Sequence, residues 1–309
     1  MNQPQAASPS PAFAPDLAPV PAGCGCARPG RRQFTALLLG AGVLGGLPAW
    51  ARDGVDVQPG KNSMFTRAAP ADQVEAAAVK NYQALRSDAS GKGALLGDND
   101  PQVIRLRAIA ERLIPFSYEW NARARNWKWE VNVLASNELN AFCMPGGKIA
   151  FYLGILRQLQ LSDDEVAMIM GHEMAHALRE HAREQMGKQM ATQGAIGIGA
   201  ALFGLGDLAR TAANYGGKLL TLKFGREDES EADLVGMELA ARAGYDPASG
   251  VSLWKKMMAA SKGAPPAFLS THPPSDSRIR DIEANLPKVE GLYARAPRPA
   301  QRYAPPAQG

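Results

Sequence analysis

His172-Glu173-Met174-Ala175-His176 places two histidines four residues apart, inside a stretch that can only be read as helix. Leu161-Ser162-Asp163-Asp164-Glu165-Val166 opens that helix: Ser162 is the N-cap, Glu165 its reciprocal partner, and Leu161 can staple to Val166. Four residues on a helix turn through about 400°, so the two imidazoles sit roughly 40° apart on one face, one above the other. That spacing lets both reach one ion at about 2.0–2.1 Å. Glu173, one residue past the first histidine, can take a proton from a water there without being a ligand, the role of a general base. The preceding apolar positions Val166, Ile169 and Met170 and the small Gly171 fit a packed helix, expected to run to about residue 190.

The third ligand is less direct. His181 is nine residues past His172, about 900° along one helix, on the opposite side, and reads as structural or solvent-facing. Arg179 and Ala182 stand where a chain turning after its second ligand would need glycine and a third histidine, which excludes the metzincin arrangement. Cys143 with the two histidines would make the ligand set of peptide deformylases, but an exported chain meets no formylated nascent substrates, so Cys143 reads as a buried thiol near the cleft. The acidic run Arg226-Glu227-Asp228-Glu229-Ser230-Glu231-Ala232-Asp233 offers two pairs with helical spacing, Glu229/Asp233 and Glu227/Glu231. Either could give one carboxylate to the metal and one to a ligand imidazole. Spacing does not choose between them, and a solvated first turn favoured by the helix dipole is the ordinary alternative.

Histidine is used only four times in 309 residues, and three of the four fall between 172 and 181. Of the formal net charge of +4, residues 1–51 carry +2, so the rest has no basic excess that would predict a nucleic-acid partner. Residues 1–30 are rich in Pro, Ala and Gly. Arg31-Arg32-Gln33-Phe34, the apolar run Thr35–Leu47 and Ala49-Trp50-Ala51 then make a signal peptide cleaved after Ala51. The paired arginines resemble a twin-arginine signal, although Thr35 departs from it. The expected organisation is a leader over 1–51, a linker over 52–70, a domain over 71–287 and a disordered Pro/Ala-rich tail over 288–309. Within the domain, helices are expected over Ala71–Ser87, Asp100–Pro115, Arg226–Ala243, 248–260 and Asp276–Leu286, and strands over Trp127–Ala135 and Lys148–Gly154. The Gly- and Ala-rich stretch 194–220 reads as a buried or mobile helical segment, with peripheral membrane contact as the alternative.

The histidine motif, followed some 50 residues later by Glu229-Ser230-Glu231-Ala232-Asp233, resembles the M48 peptidases, the group that includes the CAAX-prenyl, HtpX and BepA types. Asn140-Ala141-Phe142-Cys143-Met144-Pro145-Gly146-Gly147-Lys148-Ile149 is similar to the family's strand and turn before the active helix, and Ser270-Thr271-His272-Pro273-Pro274 with Arg278 to its C-terminal motif. The resemblance implies an α+β, mostly helical gluzincin-type domain with a small mixed sheet and one Zn2+ per chain. It implies that Glu229 is the third ligand beside His172 and His176, and that Asp233 orients a ligand histidine. It implies an edge strand that takes substrate as an added β-strand, expected at Lys148–Phe151, with Asn140, Gly146, Gly147, Lys148, Ile149, Ala150 and Arg278 as substrate-contacting residues. Arg278 could equally serve an acidic neighbour. His272 is expected close to the zinc, stabilising the transition state or latching the open position. The implied activity is hydrolysis of internal peptide bonds in misfolded or envelope proteins, within periplasmic quality control. A latched, chaperone-like binding module is the alternative. A purely structural zinc site is excluded, since the chain lacks the cysteines such sites use.

Overall fold

The computed structural model describes residues 52–196, 222–261 and 266–308. The expected leader and nearly all of 194–220 lie outside the described residues.

Helix α1 spans Ala71–Gly91 and α2 spans Pro101–Ser117. Asp100 caps α2 by accepting from the Gln102 N–H (2.8 Å), proline occupies the first turn, and Val103, Leu106, Ile109 and Leu113 recur at helical spacing and are buried. Three short strands follow: β1 (Glu130–Leu134), β2 (Ala141–Met144) and β3 (Lys148–Tyr152). Their order is β1-β3-β2, with β1 parallel and β2 antiparallel to β3, so the sheet is small and mixed as expected. Gly146 (φ 85°) and Gly147 (φ 74°) make the tight turn from β2 to β3, a region that disfavours side chains. The turn places β3 in the middle. Lys148–Phe151 is therefore not an edge: both flanks are paired, and among the described residues the edge on the cleft side belongs to β2.

After the short α3 (Leu153–Gln158) comes α4 (Asp163–Leu178), the centre of the domain and buried at every position but Asp164. Its capping box is formed as expected, Ser162 Oγ accepting from the Glu165 N–H (3.2 Å) and Glu165 Oε2 from the Ser162 N–H (2.8 Å). The helix does not continue to 190. It stops at Leu178, Glu180 takes a left-handed backbone (φ 59°), and α5 (His181–Ile196) starts in a new direction. Helices α6 (Arg226–Arg242), α7 (Ser249–Ala260), α8 (Ala267–Thr271) and α9 (Asp276–Arg295) complete the described order. Gly244 (φ 84°) follows α6, the expected C-terminal stop.

Two segments expected to lie outside the domain pack on it. In 52–70, Val55 is buried and its N–H donates to the fully buried Glu238, which also takes the Arg52 guanidinium. A 3-10 turn at Met64–Ala68 lies on α5, where Arg183 donates to the carbonyls of Thr66 and Ala69. Most of these hydrogen bonds use a backbone group, which composition does not reveal. At the other end, α9 runs through Pro287 to Arg295 because Val289 and Leu292 continue its buried stripe. Beyond it, Arg302 pairs with Asp164 (2.9 Å) and the Tyr303 N–H donates to Asp163 (2.8 Å). Among the described residues no helix is long and apolar enough to cross a membrane.

Candidate metal centre

The site forms where α4 crosses α6. Gly171 and Gly236 meet there, and a Cβ on Gly171 would lie 2.7 Å from the Gly236 carbonyl oxygen. The close crossing brings the first turns of α6, carrying Glu229 and Asp233, alongside His172 and His176. The third element is the end of α8. The Phe268 N–H donates to the Leu139 carbonyl (3.1 Å), the His272 N–H donates to Phe268 O (2.8 Å), and the Phe268 ring stacks on His272. His272 is so held over the pair from α4.

His172, His176, Glu229 and His272 each offer one donor atom within 4.8 Å of the others, and all are between 2% and 4% exposed. His172 Nε2 lies 3.1 Å from His176 Nε2, 3.3 Å from His272 Nδ1 and 3.6 Å from Glu229 Oε2. His272 Nδ1 lies 2.9 Å from Glu229 Oε1. Four ligands placed tetrahedrally at 2.0–2.1 Å from one zinc ion would be roughly 3.3 Å apart. The donor set has the matching chemistry. His172 donates through Nδ1 to Asp233 Oδ1 (3.0 Å), which leaves Nε2 a bare acceptor aimed at the other three atoms. Three imidazoles and one carboxylate gathered around a single point fit a divalent cation.

Burial opposes ionisation of Glu229, but the imidazoles of His176, His272 and His172 around it hold its carboxyl well below the ordinary range. Burial keeps His176 neutral at ordinary pH, its pKa pushed well down. Asp233 is also held low: burial acts against it, but Arg278 donates to both of its oxygens (2.6 and 2.7 Å). Glu173 behaves oppositely. Burial pushes its pKa up, only partly offset by His272 and His172 and by the Cys143 backbone amide. Its Oε1 is buried with no hydrogen-bond partner among the described residues, 3.5 Å from His272 Nε2, and it lines the cleft.

The cleft is walled by Asn140–Pro145 on one side and by His176, Ala177, Phe224 and His272 on the other. Of the expected substrate-contacting residues, Asn140 lies here. Gly146 and Gly147 do not: they back onto Val79 and Trp129. Lys148, Ile149 and Ala150 sit in the central strand, with Lys148 paired to Glu130 (2.8 Å). The Tyr152 N–H donates to Asn140 O, so by antiparallel alternation Phe142 and Met144 bond to β3 while Ala141 and Cys143 turn their backbone groups to the other edge, where the Ala141 N–H donates to Asn140 Oδ1 (3.0 Å) and the Cys143 amide to Glu173. Arg278 is not open to substrate either. It is buried, bonded to Asp233, 2.6 Å from Glu229 Oε2 and stacked over Trp254. Of its two expected roles it fills the one toward acidic neighbours. Cys143 lines the cleft but stands apart from the four donors.

Several residues at the site were not anticipated. His181 is buried and its Nδ1 is 2.9 Å from His176 Nδ1, because the helix it was placed on ends before it. Glu231 reaches His181 rather than the metal position (2.8 Å). Phe224 stacks on the His176 ring at 4.0 Å. The acidic run did mark Glu231; nothing local marked Phe224.

Residues 102–286 match the family described as peptidase family M48. The chain is 34% identical over 199 residues to the mitochondrial metalloendopeptidase OMA1 of Schizosaccharomyces pombe, covering 63% of this chain and 56% of that protein. It is 28% identical to the metalloprotease LoiP of Escherichia coli (63% and 75%) and 26% identical to the beta-barrel assembly-enhancing protease of the same organism (59% and 39%). The match thus spans about half the length of the fission-yeast relative. Two histidines from one helix, a carboxylate from a second, and a family match across the whole region that holds them lead to one statement: this chain belongs to peptidase family M48.

Proposed function

We propose that the protein is a zinc-dependent endopeptidase of the cell envelope that cleaves internal peptide bonds in misfolded or envelope proteins. Glu173 is its general base, and one ion is held by His172, His176 and Glu229. The observation that carries this reading is the unpartnered Glu173 oxygen set in the cleft wall beside the four-donor cluster. A divalent ion held there polarises a peptide carbonyl and acidifies a water molecule.

The remaining work falls to the chain. An extended segment pairs with the outward carbonyls of Ala141 and Cys143 on β2, which gives affinity with little sequence preference. Glu173 removes the proton from the attacking water and passes it to the departing amine as the C–N bond breaks. Its raised pKa suits a group that must both take and return a proton. Asp233, locked by Arg278, keeps His172 in the tautomer that presents Nε2. His272 Nε2, on the cleft side, can donate to the oxygen that gains charge. The leader expected over 1–51 supports export to the periplasm, and one relative is named for enhancing beta-barrel assembly.

A second reading has its own support. His272 Nδ1 is one of the four clustered donors, so the histidine can also close the position that substrate needs. The protein would then be a latched, chaperone-like module of low activity. Casein degradation by the purified protein and its Glu173→Gln variant separates the two. An endopeptidase loses the activity on substitution, whereas a holdase shows little cleavage in either form and keeps suppressing aggregation in both.

A further inference from the structure

His181 lies five residues after His176, and on an unbroken helix it would point about 140° away from it. It does not, because Glu180 turns the chain through the left-handed region. That turn is secured from outside: Asn62 donates to Glu180 Oε2 (2.7 Å) and Arg183 pairs with Glu180. The consequence is a file of three side chains. His176 Nδ1 faces His181 Nδ1 at 2.9 Å, and His181 Nε2 faces Glu231 Oε2 at 2.8 Å. Arg179 then holds the other Glu231 oxygen at 2.9 Å and donates to the Gln58 carbonyl of the N-terminal segment.

The Glu231 carboxylate only accepts, so His181 carries a hydrogen on Nε2. With a single hydrogen on that ring, its Nδ1 is bare. His176 must then carry its hydrogen on Nδ1 and donate it to His181. Its Nε2 is left bare, 3.1 Å from His172 Nε2 within the donor cluster. The Phe224 ring stacked on His176 limits rotation of the imidazole. His172 gets the same tautomer directly from Asp233; His176 has no carboxylate on its Nδ1, and a second imidazole stands in the gap.

We propose that His181 is a positioning residue for the metal site: it relays the hold of Glu231 to His176 and fixes which nitrogen of that ring faces the ion. The proposal rests on the reading of His176 as a ligand. It concerns a histidine outside the metal-binding motif and explains why the active helix ends at Leu178.

The test is zinc affinity, measured by competition with a chromophoric chelator, for the whole protein and two variants. His181→Leu removes the acceptor and should weaken zinc binding about 10- to 100-fold. His181→Asn returns an amide oxygen near the position of Nδ1 and should recover most of the loss. Equal weakening in both variants, or an unchanged affinity in His181→Leu, overturns the relay. If neither variant folds, nitrogen-15 correlation spectra of the imidazoles in the zinc-loaded wild type decide: His176 protonated on Nδ1 and His181 on Nε2 supports it, and His181 protonated on Nδ1 overturns it. A wild type that takes up no zinc removes the ligand reading itself, an outcome distinct from loss of the relay alone.

Discussion

Gly171 and Gly236 touch backbone to backbone where α4 crosses α6, with room for a hydrogen on each and not for a methyl group. A Cβ on Gly236 would come within 2.6 Å of the His172 nitrogen. The distance between the helix carrying the histidines and the helix carrying Glu229 is set at this contact. Gly236→Ala should therefore separate the two ligand sources. Overpacking of this kind costs about 1–3 kcal/mol, which for a domain of this size lowers Tm by roughly 2–12 °C. Thermal melts together with zinc titrations check this. A variant that melts lower but binds zinc as tightly as the wild type would detach the crossing from the site.

Asp233 lies between His172 and Arg278, accepting from both. In Asp233→Asn the acceptor for His172 survives, but the charge that balances the buried guanidinium does not. Zinc affinity should fall about 10- to 100-fold. Chelator competition reads the effect directly, and a change under twofold would reduce Asp233 to a packing residue.

Glu173→Gln keeps the shape of the cleft wall and removes the base. Turnover on casein should drop by about 10²- to 10⁴-fold with zinc content unchanged. If the zinc content falls as well, Glu173 holds the metal and is not the proton carrier assigned here.

Acid should destabilise the metal-free protein through the same carboxylates. Glu229 and Asp233 have pKa values lowered from 4.5 and 3.8, so near pH 4 the folded chain binds fewer protons than the unfolded one. Their stabilising contribution is present above those ordinary values and is lost as pH falls through the folded ones. Glu173, with its raised pKa, acts in the opposite sense, its contribution being full below 4.5 and lost as pH rises through the folded value. Urea midpoints measured from pH 5 to pH 3 should fall with pH, and less steeply in Asp233→Asn. An equal slope in that variant would assign the acid sensitivity elsewhere.

Features that depend on neighbours along the chain can be read from the sequence itself. The capping box at Ser162, the two histidines on one face and the stop at Gly244 each follow from a few consecutive residues. Glu229 could not be separated from Glu227 by spacing, because both begin pairs four residues long on one helix; the Gly171–Gly236 crossing decides which face meets the histidines. The centre of the sheet was misplaced because strand order is a non-local property, and a hydrophobic β3 looks the same whether one or both flanks are paired. His181 was placed on the wrong side because no glycine or proline marks the end of α4. A glutamate in the left-handed region is uncommon, and the partners that hold it, Asn62 and Arg183, lie on other elements.

Two imidazoles from α4 and one carboxylate from α6 should bind a single ion. Metal analysis of the purified protein beside its Glu229→Ala variant checks this. One zinc per chain is expected in the wild type and almost none in the variant. Equal zinc in both, or none in the wild type, would contradict it.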